Sequence, residues 1–143
     1  MILTFWTDSG PGWRSRWISC GASGPANHVT LQVGEYSLHA DPRRQGWYRS
    51  DMLHKAYKSV YYPLASYKFK DRGRRYPTAT MKYPSLKVLW WKYLNGPKPL
   101  VCTGMVCNAL TYNGEAVPIY VDPNDLMRHF NDRNWPKWQG PYG

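Results

Sequence analysis

Alternating apolar and polar residues predict a β-hairpin over residues 28–40. Every second position of its first half is apolar, and the alternation resumes after Gly34 and Glu35. A period of two is typical of strands that bury one face. Glycine at the first position of a two-residue turn adopts a positive φ without steric cost, so this pair fits the turn. The pattern therefore predicts a register in which Leu31 faces Leu38.

The rest of the chain contains patterns of both strands and helices. Short apolar runs at 2–6 and 116–121 predict strands. Asp122 and Pro123 suit the N-cap and the first position of a helix. Helices are predicted over residues 50–59, 85–96, 99–114 and 122–130, with one further helical turn at 14–18. Irregular structure is expected between the first of these helices and residue 84.

The helix predicted over 85–96 has a marked apolar face. Ser85 suits its N-cap, and Gly96 stands just past its end. The apolar residues that share one face are Leu86, Leu89, Trp90 and Tyr93.

The organisation of the chain suggests one domain. Its 143 residues are a typical domain length, and no internal repeat or strong boundary divides them. We interpret residues 1–130 as one domain with a tyrosine- and proline-rich insert at about 43–84. Residues 131–143 are rich in Pro, Gly and Asn, and we interpret them as an irregular aromatic tail. Within it, Trp135 and Trp138 either anchor a partner or fold back onto the domain.

Composition argues against several classes of protein. No run of about 18 apolar residues is present, so no membrane span is expected. The N-terminus lacks a basic segment followed by an apolar core, which predicts synthesis in the cytoplasm without a secretory signal. The three cysteines lack metal-ligand spacing and argue against a disulfide framework and a zinc site. No metal and no cofactor are expected.

The charge and the aromatic content limit the classes of partner. The chain has a formal net charge of +10, with 8 Trp and 12 Tyr. This composition suits nucleic acid, an anionic polymer such as cell wall, or a protein neighbour in a large assembly. The basic residues are densest at 39–49 and 67–76, where a solvated loop competes with a phosphate-binding loop. Nucleic acid ranks last, because no RNA-binding motif, zinc-finger spacing or P-loop is present.

Two histidines of the hairpin raise the question of chemistry. Side chains on one face of a strand repeat every second residue, so the predicted register projects His28, His39 and Asp41 to the same side. Diagonal neighbours across a ladder are roughly 7–8 Å apart, within reach of two imidazoles. The histidines are therefore either part of the solvated face of an amphipathic hairpin or half of a catalytic site.

The cysteines differ in their expected surroundings. Cys102 falls near the start of the helix predicted over 99–114, where the helix dipole and a neighbouring imidazole would lower the pKa of its thiol. Because the attacking species is the thiolate, this position favours a nucleophile. Cys107 lies further inside the helix and is interpreted as a packing residue. Cys20 lies in a Gly/Ser-rich segment and is interpreted as a stray thiol.

The order of three motifs resembles a known family. These are "NHVTLQVGEYSLHAD" at 27–41, "CTGMV" at 102–106 and "DPNDL" at 122–126. They resemble the circularly permuted NlpC/P60 group of papain-like thiol enzymes, mainly its YiiX/YaeF-like bacterial and phage branch. The similarity extends more distantly to lecithin:retinol acyltransferase-like proteins.

This resemblance implies both a fold and a set of site residues. The fold would be α+β and permuted papain-like, with a small antiparallel sheet packed against a cysteine-bearing helix. Cys102 would be the nucleophile, His28 the base and His39 the third residue that orients the base, with Asp41 in reserve for that role. The reaction would be acyl transfer through a thioester, with the backbone N–H of Cys102 as an oxyanion donor.

Two functions of different classes follow from the resemblance. The first is a thiol amidase or endopeptidase that acts on peptidoglycan or another peptide-like substrate, carried in a phage particle. The second is a structural virion component, a tail or head accessory protein that keeps the papain-like fold with or without activity. The second function implies protein neighbours in a virion or a homo-oligomer.

Overall fold

The computed structural model describes residues 1–8, 23–40, 45–78 and 85–138. The helical turn predicted at 14–18 and the candidates Cys20 and Asp41 lie outside these ranges. The strands are β1 (Ile2–Asp8), β2 (His28–Val33), β3 (Tyr36–Ala40), β4 (Gln45–Arg49), β5 (Tyr61–Lys68) and β6 (Lys137–Trp138). The helices are α1 (Ser50–Val60), α2 (Ser85–Leu94), α3 (Cys102–Tyr112) and α4 (Pro123–Asp132).

These strands form one antiparallel sheet in the order β4-β3-β2-β1-β5-β6. β1 lies near the middle of the sheet, with Leu3 opposite Leu31 of β2 on one side and Tyr67 of β5 on the other. The α+β class with a small antiparallel sheet, expected from the sequence, is confirmed.

The predicted hairpin is confirmed in its turn and in its register. Leu31 pairs with Leu38, and the next two pairs of the ladder follow in the predicted order. Gly34 has a φ of 59°, the left-handed conformation for which glycine was expected at this position. The alternation of side chains was therefore sufficient to place both strands.

The chain that follows α1 differs from the prediction. We expected irregular structure there, yet β5 pairs along the length of β1. Pro63 in β5 lies opposite Trp6, and the register shifts between Phe5 and Trp6. Proline lacks the N–H that a regular ladder needs, so it is tolerated where the ladder is irregular. β4 likewise pairs with β3 inside the segment interpreted as an insert.

The strand predicted at 116–121 is wrong, since this segment joins no ladder within the described chain. Its apolar residues pack around α3 instead: Val117 and Tyr120 contact the core, and the Val117 carbonyl accepts a hydrogen bond from the Thr111 hydroxyl at 3.5 Å. A short apolar run has the same pattern whether it pairs in a sheet or covers a helix.

One face of the sheet carries the main hydrophobic core. Side chains of β1, β2, β3 and β5 meet α3 and α4 there. The largest fully buried members include Leu3, Phe5, Leu31, Tyr67, Met105, Leu110, Leu126 and Phe130. The cysteine-bearing helix α3 therefore packs against the sheet, as expected.

The N-terminus of α4 joins two distant parts of the chain. Asp122 caps the helix, as predicted, because its carboxylate accepts the backbone N–H of Asn124 at 2.8 Å. The Asn124 amide in turn accepts the N–H of Ala26 at 2.8 Å and donates to its carbonyl at 2.7 Å. Ala26 lies two residues before His28, so the "DPNDL" motif fixes the chain where it enters β2.

The aromatic tail contains more structure than its composition suggested. Trp135 packs against its own domain, with its ring centroid 4.8 Å from that of Phe69 and 6.1 Å from that of Phe130. Of the two alternatives for Trp135, the structure has the ring folded back onto the core. The short strand β6 pairs with β5. The Trp138 side chain lies outside the described part of the structure.

Helix α2 is the exception to the compact packing. None of the described helices is both long and apolar enough to cross a membrane. Yet α2 presents its apolar face to solvent, and it makes no extensive contact with any other described strand or helix. An apolar helix face ordinarily packs on a core, so this exposure needs its own explanation.

Candidate functional site

The two histidines of the hairpin meet on the face of the sheet opposite the main core. His28 begins β2 and pairs with Trp6 of β1, whereas its neighbour Val29 points into the core. The rings of His28 and His39 pack edge to face with centroids 5.5 Å apart. The predicted shared face is thus confirmed. The interpretation as a solvated face is wrong, because both histidines are buried beneath α1.

A tyrosine of α1 joins the two imidazoles. The Tyr57 hydroxyl lies 3.0 Å from Nε2 of His28 and 3.2 Å from Nε2 of His39. Its ring stacks on Trp6 with centroids 5.3 Å apart, so the hydroxyl is held in place. Sequence reasoning missed this residue. The one available signal was a tyrosine on the helix predicted over residues 50–59, which is the next element predicted after the hairpin.

Further aromatic rings enclose the pair. Tyr61 stacks on His28 at 5.5 Å, and Tyr48 packs edge-on against His39 at 5.6 Å. An enclosed imidazole cannot exchange hydrogen-bond partners freely with water. The tautomers of the two rings are therefore set by the groups around them.

The hydroxyl bridge permits a specific order of protons. A tyrosine hydroxyl can donate one hydrogen bond and also accept one. If it donates to Nε2 of His39, it accepts the Nε2–H of His28, and the lone pair of neutral His28 is then on Nδ1. In this arrangement His28 can act as a base through Nδ1, while His39 polarises the Tyr57 hydroxyl.

Cys102 is the first residue of α3, which follows an extended N-cap at Val101. Its sulfur lies 3.9 Å from the Thr103 hydroxyl. The residue is half-buried at the edge of the main core. Its own backbone N–H belongs to the first turn of a helix, where such groups have no partner within the helix.

The pKa of the Cys102 thiol differs in direction from the prediction. Burial raises this pKa, although hydrogen bonds from Thr103 and Val29 act in the opposite sense. The predicted lowering is therefore wrong, because removing a thiolate from water costs more free energy than these hydrogen bonds return.

The three predicted site residues are only partly brought together. The histidines contact each other and α1, whereas Cys102 approaches β2 from the core side. The backbone N–H of Val29, the residue after His28, is among the groups that lower the pKa of the thiol. The expectation that both rings share a face with Cys102 is not met, because successive residues of a strand point to opposite faces.

Cys107 is a packing residue, as predicted. It is fully buried among the apolar side chains of the main core. Burial raises the pKa of its thiol to about 11, although the backbone N–H of Tyr120 acts in the opposite sense. Such a thiol is inert at neutral pH, which makes Cys107 a matched control for Cys102.

Comparison with known proteins gives no relative: no protein-family profile, curated protein or solved structure matches the chain. The described residues also contain no group of three His, Cys, Asp or Glu side chains placed to hold a metal ion. The chemistry of this site therefore has to be argued from its own geometry.

The raised pKa of Cys102 predicts how its reactivity depends on pH. Only the thiolate reacts with iodoacetamide, so alkylation of Cys102 should be slow at pH 7 and rise about tenfold per pH unit toward pH 9. Mass spectrometry of digested protein would give the rate at each cysteine. Cys107 should stay unmodified throughout. A rate at Cys102 that is already independent of pH near 7 would contradict the raised pKa and indicate a preformed ion pair.

Proposed function

We propose that the protein is a thiol hydrolase that cleaves amide bonds in peptide-like substrates by acyl transfer. Cys102 is the nucleophile, His28 is the general base, and His39 orients that base. The fold proposed with this function is a circularly permuted papain-like domain. The order of the hairpin histidines, the cysteine at a helix start and the "DPNDL" turn supports this fold.

One observation carries the proposal: Cys102 begins α3, and this helix packs on β2, the strand that begins with His28. Nε2 of His28 is directed toward Tyr57, and Nδ1 is the ring nitrogen nearer the backbone. With Nε2 engaged by Tyr57, Nδ1 is the nitrogen that can take a proton. Catalytic hydrogen bonds are often long in the absence of substrate and shorten when it binds.

The proposed reaction begins with a neutral thiol and a neutral imidazole. Nδ1 of His28 takes the thiol proton while the sulfur of Cys102 attacks the substrate carbonyl carbon. The tetrahedral intermediate carries its negative charge on oxygen, to which the backbone N–H of Cys102 can donate. His28 then gives its proton to the leaving amine, and the C–N bond breaks to leave a thioester.

Water completes the cycle in the same geometry. His28 takes a proton from a water molecule as that water attacks the thioester carbon, and the carboxylic acid leaves as the sulfur regains its proton. Through both steps the Nε2–H of His28 continues to donate to Tyr57. His39 supports the imidazolium form through this hydroxyl rather than by direct contact with Nε2 of His28.

Charge supports a peptide-like substrate of acidic character. The net charge of +10 attracts anionic polymers, of which the peptide-crosslinked wall is one. We therefore place peptidoglycan first among substrates. Carriage in a phage particle belongs to the same proposal.

Trapping of the acyl-enzyme tests this function. Purified protein is incubated with peptidoglycan fragments and with a set of peptide amides, then quenched with acid. We expect released amines and an adduct on Cys102 that hydroxylamine removes. The Cys107→Ala variant should give the same adduct.

Two results would count against the hydrolase. Absence of both cleavage and adduct across the substrate set would overturn it, as would an adduct that persists in Cys102→Ala. Large assemblies in gel filtration without any turnover would support the alternative, a structural virion component that keeps the fold.

A further inference from the structure

The exposed face of α2 has a defined composition. Successive residues of a helix are about 100° apart, which places five apolar side chains on one arc of about 140°. All five are between 37% and 82% exposed. In order around the helix they are Leu89, Tyr93, Leu86, Trp90 and Leu94.

Lysines border this arc on both sides. Lys87 lies beside Leu94 on one edge, and Lys92 lies beyond Leu89 on the other; both lysines are exposed. The ammonium of Lys92 lies 5.5 Å from the centre of the Tyr93 ring. The helix contains no acidic residue. Its polar rim is therefore purely cationic.

The tryptophan of this face is held in position although it is half exposed. The helix ends at Leu94. Asn95 then turns the chain with a φ of 51°, and the N–H of Gly96 donates to the Trp90 carbonyl at 3.1 Å. The indole lies against the glycine so closely that a Cβ on Gly96 would be 2.6 Å from Trp90 Cδ2. Trp90 is thus fixed by the end of the helix, with 50% of its surface exposed.

We propose that α2 is a docking helix that binds the surface of a membrane rich in anionic lipid. An apolar arc that includes Trp and Tyr and is bordered by lysines suits the bilayer interface, where aromatic rings and lysine side chains are favoured. The apolar side chains would enter the acyl boundary, and the lysines would extend to the lipid phosphates. The net charge of +10 adds attraction to an anionic surface.

Charge also argues against a second copy of the chain as the occupant of this face. A two-fold contact through the apolar arc would bring the Lys87 and Lys92 borders of two helices together without an acidic residue of α2 to pair with them. An anionic lipid surface would instead offer phosphate groups to pair with the same lysines. This inference is independent of the proposed hydrolase activity.

Vesicle co-sedimentation tests the proposal with the full chain. We expect at least tenfold tighter binding to vesicles of phosphatidylglycerol and phosphatidylcholine than to phosphatidylcholine alone. Replacing Leu86 and Leu94 by Ser should reduce this binding at least tenfold. These residues are 82% and 73% exposed, so the fold should be unaffected. The matched control is Met52→Ser on α1, which is 65% exposed and should bind as the wild type.

A second pair of variants separates the helix from net charge. The double variant Lys87→Glu with Lys92→Glu should lose binding to the anionic vesicles. The double variant Lys55→Glu with Lys70→Glu makes the same change in net charge and should lose much less of this vesicle binding. Equal losses in the two charge variants would overturn the proposal, as would no binding by the wild type. Self-association of the wild type that the Leu86 and Leu94 variant abolishes would also overturn it, in favour of a second copy.

Discussion

Replacing Cys102 by alanine should lower kcat/KM for amide hydrolysis by about 10⁴-fold or more. In the proposed reaction the sulfur forms the covalent bond to substrate, and no other group in the site can replace it. Removal of the nucleophile from comparable acyl-transfer sites costs about 10⁴–10⁶ in rate, and binding and oxyanion donors supply what remains. The measurement is the initial rate of amine release at several substrate concentrations.

Cys107→Ala provides the control for this loss. Cys107 lies five positions further along the same helix and is fully buried, so its replacement alters the core without touching the proposed chemistry. We expect its kcat/KM to stay within about tenfold of wild type once thermal unfolding shows that the variant is folded. Wild-type activity in folded Cys102→Ala would remove Cys102 from the mechanism.

The sequence was sufficient to predict the hairpin and the shared face of its two histidines, because short-range rules determine both the register and the facing of side chains. A two-residue turn at Gly34 fixes the register, and the register fixes which side chains share a face. The contact between the His28 and His39 rings follows from this alone. The position of Cys102 at the start of a helix was likewise within reach of local pattern.

Tertiary contacts determined what the sequence did not predict. Tyr57 bridges the histidines only because α1 folds back over the sheet, and no local pattern encodes that packing. The pKa of Cys102 is raised because burial outweighs the effects that local position suggested. β5 was missed because Pro63 resembles a strand breaker until its irregular position opposite Trp6 is known.

The apolar face of α2 marks a different limit of sequence reasoning. Periodicity shows that a helix has an apolar face, but not whether that face meets the protein's own core or another phase. In α4 the apolar side packs on the sheet, with Leu126 and Phe130 fully buried. In α2 the apolar side is exposed. Its charged residues also differ from those of α4, because α2 carries lysines alone whereas α4 carries acidic residues as well.

Replacing Asn124 by alanine should lower the free energy of unfolding by about 2–6 kcal/mol. The substitution removes both hydrogen bonds to Ala26, which is fully buried. A buried backbone group left without a partner costs about 1–3 kcal/mol, and here one N–H and one carbonyl lose theirs. A domain of this size is stable by only about 5–15 kcal/mol, so the loss is a large fraction of the total.

Denaturant titration measures this loss, with Asn108→Ala as the matched control. Asn108 is a half-buried asparagine on α3, and its replacement by the better helix former should change stability by about 0.5 kcal/mol or less. Because Asn124 holds the chain two residues before His28, its loss should also free the start of β2. Hydrogen exchange at the Val29 amide would then rise with the loss of stability. If Asn124→Ala lowers the free energy of unfolding by less than about 1 kcal/mol, other groups must bind the backbone N–H and carbonyl of Ala26. The "DPNDL" turn would then not anchor the strand that begins with His28.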